Sequence, residues 1–279
     1  MQRGRAARTT RALQRRRVAE VDAAPISGCV ICYQEADRIA DCLRSLSFCD
    51  EVVVVDSGST DGTQAIVEQH GARLLTNVPF PGHKQQKQYA VEQARHDFVF
   101  CLDADERCTP ELVERIEQLR RLPERADGYE TPRRNHYLGR ILRFGLHVPD
   151  RKLRLFDRRV GRWGGRNPHD HVEMSAGARV ERLGEAIEHL SYRDFAHQRR
   201  TIDSFTRISA EAMAAEGRRG TPLDLLVRPV AVFLKSLVLK LGFLDGWRGF
   251  LVAAMAAYAD WVKYWRLMRL PRRRSQGAG

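Results

Sequence analysis

The stretch FVFCLDADE, residues 98–106, runs from an apolar segment directly into two aspartates. Its first five residues predict a buried β-strand, and Asp103 and Asp105 then follow at the carboxyl end of that strand. In open α/β sheets, ligands bind beyond the carboxyl ends of the strands. Two carboxylates at such a position favour a hard divalent cation, Mg²⁺ or Mn²⁺, shared with a phosphorylated ligand. The alternative is that Asp105 or Thr109 caps the helix predicted to begin near Pro110.

The segments around this stretch alternate between strand and helix patterns. Strands are predicted at residues 26–33, 51–55, 73–75, 129–131 and 152–156, and helices at 38–47, 63–70, 84–95, 110–121 and from about 194 to 268. The βαβ rhythm of the first half predicts an α/β fold, with a mostly parallel sheet flanked by helices. Right-handed crossovers then bring the carboxyl ends of neighbouring strands to one edge.

Two earlier strands also end on acidic residues. The first runs into YQE, which places Glu35 after the strand, and the second runs into DSGSTDGT, residues 56–63. Asp56 can accept hydrogen bonds from a nucleobase or ribose, while the backbone amides of the following turn face the ligand. A simple capped helix start is the alternative. Three strands therefore deliver carboxylates to the same edge of the predicted sheet.

In this order and spacing, the three motifs resemble those of the inverting family-2 glycosyltransferases of GT-A type. The resemblance covers about residues 26–270 and is closest to the bacterial branch that extends lipopolysaccharide cores and related envelope glycans. It implies that Glu35 and Asp56 bind the nucleoside, Asp103 the ribose or the metal, and Asp105 the metal on the diphosphate. The implied reaction moves a sugar from a nucleotide-sugar donor to a hydroxyl of a lipid-linked or lipopolysaccharide-core acceptor. The resemblance alone implies that uridine diphosphate carries the donor sugar.

Three further residues match family motifs. QKQ at 86–88 resembles the family's Gln-Lys-Asn and implies that Lys87 lies near the donor. By the same resemblance, Arg154 faces the diphosphate and His189 completes the cation or diphosphate site. An exposed helical lysine, a surface arginine and a structural histidine are the respective alternatives.

The predicted mechanism needs a base that takes the acceptor proton. NPHDHVE, residues 167–173, resembles the Val-His-Glu segment of the related enzymes, with Asp170 at the glutamate position. We therefore expect Asp170 to be the base. Glu173 is the substitute, because Asp170 is one methylene shorter than the family's glutamate.

The positive charge of the chain lies at its ends. The formal net charge is +12, but 13 of the 47 Lys and Arg residues fall in 1–17 and from Lys263 onward. The remaining 34 are balanced by 35 acidic residues, which disfavours nucleic acid as a partner. We expect a basic tail at 1–24, a GT-A domain at 25–195, a helical extension at 196–270 and a basic tail at 271–279. A nucleotidyltransferase and a non-enzymatic nucleic-acid-binding protein are the alternative functions.

The helical extension carries an aromatic stripe. Trp247, Phe250, Tyr258, Trp261 and Trp265 fall on one face of a predicted helix, and no segment has 18 uninterrupted apolar residues. Aromatic residues with flanking basic residues predict an amphipathic anchor on an anionic membrane. Packing on the catalytic domain, or on a second subunit of a homo-oligomer, is the alternative.

The cysteines suggest a reducing compartment. Six are present, mostly within apolar runs, and no signal peptide precedes them. We expect a cytoplasmic enzyme, peripheral on the inner face of the cytoplasmic membrane. Cys29 and Cys32 lie three residues apart in a strand, so their side chains should point to opposite faces rather than form a redox pair.

Overall fold

Strands and helices alternate through the first half of the chain, as predicted. The computed structural model describes residues 23–167 and 169–270, so both predicted tails lie outside it except for residues 23 and 24. The first half contains β1 (Ile26–Cys32), α1 (Ile39–Ser45), β2 (Glu51–Asp56), α2 (Thr63–Gln69), β3 (Arg73–Thr76), α3 (His83–Glu92), β4 (Phe98–Asp103), β5 (Glu106–Cys108) and α4 (Pro110–Leu119).

The second half adds short strands and then three long helices. These are β6 (Gly128–Tyr137), β7 (Arg140–Ile141), β8 (Arg151–Asp157), β9 (Gly161–Arg166), β10 (His169–Met174), β11 (Val180–Arg182), β12 (Ile187–His189), α5 (Phe195–Ala215), α6 (Pro222–Leu234) and α7 (Trp247–Arg269). A π-helical turn at Lys235–Leu239 and a 3-10 turn at Gly242–Asp245 connect α6 to α7.

The main sheet has a parallel half and a mixed half. Its strand order is β3-β2-β1-β4-β8-β6-β12-β5. β1 pairs in parallel with β2 and β4, and β2 with β3, whereas β8 runs antiparallel to both of its neighbours. β9 and β10 form a separate antiparallel hairpin. The predicted α/β class, with helices flanking a mostly parallel sheet, is confirmed.

Two apolar clusters cover the two faces of the parallel strands. Cys32 packs in the cluster with Ile39, whereas Cys29 packs in the other cluster with Val91 of α3. The two thiols therefore lie on opposite sides of β1, as the strand pattern predicts. Five of the six free cysteines are buried, and Cys49 is half-buried.

The start of α4 decides one of the alternatives left open by the sequence. The side chain of Thr109 accepts a hydrogen bond from the backbone N–H of Leu112, and Pro110 occupies the first turn. Thr109 is therefore the cap of this helix. Asp105 lies in the loop between β4 and β5 and does not cap it.

The C-terminal helices pack on the rest of the protein with one side only. Ala210 and Met213 of α5 pack against Tyr264 and Leu267 of α7, and Val252 of α7 packs against Tyr137 and Leu142. The carboxylate of Asp245 accepts hydrogen bonds from the backbone N–H groups of Arg143 and Phe144. These contacts attach the helical hairpin, which is formed by α6, α7 and the turns between them, to the rest of the chain.

The opposite side of the hairpin is apolar and exposed. We call it the apolar face; it consists of Leu223, Leu226, Val227, Val230, Leu234, Val238, Leu239, Leu241, Phe243, Leu244, Trp247, Phe250, Tyr258, Trp261 and Met268. Leu239 is its most exposed member, at 76%. The predicted aromatic stripe of α7 contributes four of these residues, and Trp265 stacks on Trp261. Within residues 23–167 and 169–270, no helix is both long and apolar enough to cross a membrane.

Candidate active site

Three adjacent strand ends deliver acidic residues to one edge of the sheet. β2, β1 and β4 are neighbours, and the pairing register places Cys32 beside Asp56 and Ile31 beside Asp103. Glu35 follows β1 in the loop at the same edge. The predicted convergence of carboxylates is therefore observed.

Lys87 links the first aspartate of the DAD motif to Asp170. Its Nζ atom lies 3.0 Å from Oδ1 of Asp103 and 2.9 Å from Oδ2 of Asp170. The ring of Trp163 covers the ammonium group, with its centroid 4.7 Å from Nζ. A single buried cation thus joins α3, the end of β4 and strand β10.

The alternation of β10 separates the two candidate bases. Asp170, Val172 and Met174 point inward, and the latter two pack against the core cluster beside α3. Glu173 points the other way: its carboxylate accepts a hydrogen bond from the backbone N–H of Gly165 and is largely exposed. Residues three apart in a strand occupy opposite faces, so only Asp170 reaches the cluster around Lys87.

A second ionic group, formed by Arg133, Arg154 and Glu106, contacts Asp103 of the first group. Arg154 lies 2.6 Å from Oε1 of Glu106 and 3.1 Å from Oδ2 of Asp103. Arg133 donates to Glu106 from the other side, at 3.0 Å. Oε2 of Glu106 accepts a hydrogen bond from the backbone N–H of Asp103, which holds the strand end in place.

The electrostatics of this cluster keep Lys87 and Asp103 ionised. Burial by itself would lower the pKa of Lys87, but Asp103 and Asp170 outweigh it and raise that pKa. Burial would likewise raise the pKa of Asp103, yet Lys87 and Arg154 hold it well below its usual range. The charges are thus mutually compensated without a ligand.

Asp105 and His189 form a separate pair across the sheet edge. Oδ2 of Asp105 lies 3.4 Å from Nε2 of His189, and this partner lowers the pKa of Asp105 against the opposing effect of burial. Nδ1 of His189 lies 2.6 Å from Oδ1 of Asn135, which can only accept a hydrogen bond. Nδ1 of His189 therefore carries a proton wherever this contact is kept, and Nε2 faces the carboxylate, to which it donates when the ring is doubly protonated.

An imidazole nitrogen and a carboxylate that point at each other suit a divalent cation, and the Asn135 contact fixes the tautomer that a metal requires. Across the part of the chain that the structure describes, however, no three His, Cys, Asp or Glu side chains are grouped so that they could hold a metal ion. The predicted set of Asp103, Asp105 and His189 is not assembled, because Lys87 and Arg154 occupy Asp103. Of the predicted set, Asp105 and His189 are the two side chains that face each other.

The residues predicted to bind the nucleoside are already engaged. Asp56 is buried and accepts hydrogen bonds from the backbone N–H groups of Gly58 and Ser59 and from the amide of Gln64. It therefore shapes the turn after β2. Glu35 pairs with Arg38 and Arg193, yet burial outweighs these arginines and raises the pKa of Glu35 to about 7.

Sequence reasoning missed four members of the site. Glu106, Arg133 and Asn135 hold the predicted residues, and Arg193 donates to the backbone carbonyl of Gln34 and to the carboxylates of Glu35 and Asp37. Glu106 directly follows the DAD motif, and that adjacency was a usable signal. Arg193 ends the stretch HLSYR, residues 189–193, that also carries His189, and this too was a usable signal. Arg133 had none, because nothing in the sequence distinguishes it from the many surface arginines.

Comparison with known proteins gives a consistent result. The model of Glycosyl transferase family 2 matches residues 27–185. The lipopolysaccharide core biosynthesis glycosyltransferase LpsC of Rhizobium meliloti is 30% identical over 224 residues, which cover 76% of this chain and 80% of LpsC. An uncharacterized glycosyltransferase of Rickettsia felis is 26% identical over 261 residues, covering 87% and 89% of the two chains.

The fold has a similar solved counterpart. Mannosyltransferase PcManGT from Pyrobaculum calidifontis, solved in complex with GDP-Man and Mn²⁺, superposes with a TM-score of 0.51 at 15% identity. The superposition covers 89% of this chain and 90% of PcManGT. At this identity the likeness concerns the fold, which is the GT-A arrangement that the sequence predicts.

Proposed function

Because the chain belongs to Glycosyl transferase family 2, we propose that it moves a sugar from a nucleotide-sugar donor to a hydroxyl of a lipid-linked or lipopolysaccharide-core acceptor. Uridine diphosphate is the proposed carrier of the donor sugar. The relation to LpsC supports the acceptor class, since that relative is named for lipopolysaccharide core biosynthesis. We further propose that residues 25–195 form the catalytic domain and 196–270 an extension that holds it at the membrane.

The link from Asp103 through Lys87 to Asp170 is the observation that carries this proposal. It brings an inward-facing carboxylate from a distant hairpin to the strand end where the family binds its donor. The other face of the same hairpin carries Glu173, which is turned to solvent. The proposed base must lie beside the strand end, because the acceptor hydroxyl approaches the donor sugar there. Asp170 lies at this position.

In the proposed reaction, Asp170 accepts the proton of the acceptor hydroxyl as its oxygen attacks the anomeric carbon. The new carbon–oxygen bond forms on the side opposite the diphosphate, and the bond from the anomeric carbon to the phosphate oxygen breaks. The configuration at that carbon is inverted by this single displacement. Lys87 orients Asp170 before the acceptor arrives, and general-base assistance of this kind contributes about 10²–10⁴-fold.

Asp105 and His189 are the proposed holders of Mg²⁺ or Mn²⁺. A divalent ion bound there with the diphosphate would neutralise the charge that develops on the leaving group. Asn135 supports this role by fixing the tautomer of His189. Asp103 is assigned to the donor rather than to the ion, because two cations of the protein already hold it.

At the other side of the strand ends, Glu35 and the Asp56 turn are the proposed nucleoside site. Arg193 reaches this site from the start of α5 and crosses the loop after β1. Its guanidinium can release Glu35 toward the base or ribose while remaining bound to Asp37. Arg154 supports the diphosphate end indirectly, by holding Asp103 and Glu106.

We assign the apolar face to an anionic membrane surface on the cytoplasmic side. A face of leucine, valine and tryptophan side chains, with Arg228, Lys235 and Arg248 on the same helices, has the composition of an interfacial anchor. Tryptophan favours the headgroup level, and basic residues favour anionic lipid. A lipid-linked acceptor would then be presented in the same plane as the enzyme.

Release of nucleoside diphosphate from a panel of sugar nucleotides, with Mg²⁺, Mn²⁺ or EDTA, tests the reaction. We expect one donor to be turned over only with metal, and both Asp105→Asn and Asp170→Asn to lose transfer. Asp97→Asn is the matched control, because Asp97 pairs with Arg159 on the surface. Absence of turnover for every donor, or full activity of Asp170→Asn, would contradict the proposal.

A further inference from the structure

Three aromatic rings form a group beside the candidate active site. His83, at the start of α3, lies between Phe80 in the preceding loop and Phe205 on α5. The ring centroids are 5.0 and 5.3 Å apart, and the planes are nearly perpendicular, at 84° and 89°. Edge-to-face contacts at these distances are favourable, so the three rings hold one another in place.

The group lies one helical turn from the residue that holds the proposed base. His83 and Lys87 are four residues apart on α3 and therefore share a face of the helix. Nζ of Lys87 in turn lies 2.9 Å from Asp170. Burial and the nearby Lys87 lower the pKa of His83, while Asp103 and Asp170 act on it in the opposite direction. His83 is thus close enough to both aspartates to interact with their charges.

The β9–β10 hairpin fixes this arrangement. Oδ1 of Asn167 accepts a hydrogen bond from the backbone N–H of Lys84, at 2.9 Å. Gly82 has φ +114°, and a Cβ atom there would lie 2.3 Å from Nδ2 of Asn167. The close approach brings the strand that carries Asp170 directly onto the start of α3. Phe80 and His83 therefore lie next to Asn167, which leads into the strand that carries Asp170.

The group is not simply part of the core. Phe80 and Phe205 remain 41% and 40% exposed. Nδ1 of His83 is buried and has no hydrogen-bond partner within residues 23–167 and 169–270, whereas Nε2 is not among the buried unpaired atoms. Within the same residues Nε2 makes no hydrogen bond, so this nitrogen can bind a ligand. Two exposed phenyl rings and an available imidazole nitrogen form an amphipathic surface.

We propose that Phe80, His83 and Phe205 bind a pyranose ring of the acceptor. The C–H groups on one face of a sugar ring carry a partial positive charge and pack on the negative face of a phenyl ring. Nε2 of His83 hydrogen-bonds a hydroxyl at the rim of the same ring. The inference rests on the proposed function, since it identifies the acceptor as a glycan whose sugar lies next to Asp170.

Saturation-transfer NMR on the full chain tests the site directly. The probes are methyl β-D-glucopyranoside, methyl β-D-galactopyranoside and methyl α-D-mannopyranoside. Each is measured in the presence of uridine diphosphate and Mg²⁺, because Mn²⁺ would broaden the signals. We expect at least one probe to receive saturation mainly at the C–H groups of one ring face. Phe205→Leu should weaken its binding by about fivefold, and Phe205→Tyr should retain it.

Phe195→Leu is the matched control, since Phe195 is an exposed phenylalanine at the start of the same helix. Thermal unfolding of each variant checks that the fold persists. Equal binding by Phe205→Leu and Phe195→Leu, or no saturation of any probe by the native chain, would overturn the aromatic site. Metal-dependent donor turnover by the native chain is measured alongside, so that failure of the aromatic site is distinguished from failure of the glycosyltransferase proposal.

Discussion

The cluster around Asp103 and the apolar face of α6 and α7 differ in which side chains they bury and which they expose. In the cluster, charged side chains are buried, and Lys87, Arg154 and Arg133 give every carboxylate a cationic partner. On the apolar face, leucine and tryptophan side chains are exposed. Buried charge at a strand end suits a small anionic ligand, whereas an exposed apolar helix suits an extended apolar surface. Regions that differ so much in polarity are suited to different kinds of partner.

Core truncation should give the largest effect and show which apolar residues maintain the fold. Phe156 is fully buried between the main sheet and the β9–β10 hairpin, whereas Leu239 is mostly exposed. We expect Phe156→Ala to lower the free energy of unfolding by about 3–5 kcal/mol, because it leaves a cavity. Leu239→Ala should change it by no more than about 0.5 kcal/mol. Urea unfolding followed by circular dichroism measures both, and a comparable loss in Leu239→Ala would mean that the apolar face is covered by protein.

Removal of the shared cation tests the buried charges. Lys87→Met leaves Asp103 and Asp170 facing each other without their common partner, and we expect the free energy of unfolding to fall by about 3 kcal/mol. Lys84→Met, one turn earlier on α3, has no ion pair within the described residues and is the control. Urea unfolding of the two variants at neutral pH decides the point. Equal stability of both would show that Lys87 does not hold the two carboxylates.

The apolar face can be tested by vesicle flotation. Leu226→Glu with Leu239→Glu should weaken binding to phosphatidylglycerol vesicles by about tenfold or more, because each leucine loses its apolar burial. Leu122→Glu, an exposed leucine on the catalytic half, is the control. Native binding should be stronger to phosphatidylglycerol than to phosphatidylcholine and should weaken with salt. If the double variant floats like the native chain, the membrane is not the partner of this face, and sedimentation would then test for an oligomer.

The smallest expected effect is the pH dependence of donor binding. Glu35 has a pKa of about 7, so it is largely protonated below this pH and ionised above it. Only the ionised carboxylate accepts hydrogen bonds from the nucleoside with both oxygens. The affinity for uridine diphosphate should therefore rise by up to about tenfold as the pH increases through 7. Calorimetry of the native chain and of Glu35→Gln measures this, and an unchanged slope in the variant would exclude Glu35 as the titrating group.

The sequence predicted the sheet and its acidic edge because periodicity and strand ends are local signals. β1, β2 and β4 coincide with the apolar runs. Asp56 is the last residue of β2, and Asp103 is the last residue of β4. The pairing of Lys87 with Asp170 was not predictable, since it depends on how a distant hairpin folds back on α3. Alternation within that hairpin nevertheless separates Asp170 from Glu173, which the sequence had left as alternatives.

The hairpin strand β9 shows why local signals fail. Residues 161–168 contain three glycines and were not predicted as a strand, yet Gly161–Arg166 is a paired strand. A Cβ atom on Gly161 would lie 2.7 Å from Sδ of Met174, and one on Gly164 would lie 2.1 Å from Cδ of Glu173. A side chain added at either glycine would have to displace a side chain of β10. Contact within the hairpin, rather than a turn, therefore accounts for these two glycines.

The six native thiols have a practical consequence for anyone who handles this enzyme. Five are enclosed by the two core clusters, and burial raises the pKa of Cys42 and of Cys108, so neither is a reactive thiolate at neutral pH. A maleimide dye would label the folded chain slowly and the unfolded chain quickly. The labelling rate of the native cysteines therefore reports how often the core clusters open, and no label site has to be added.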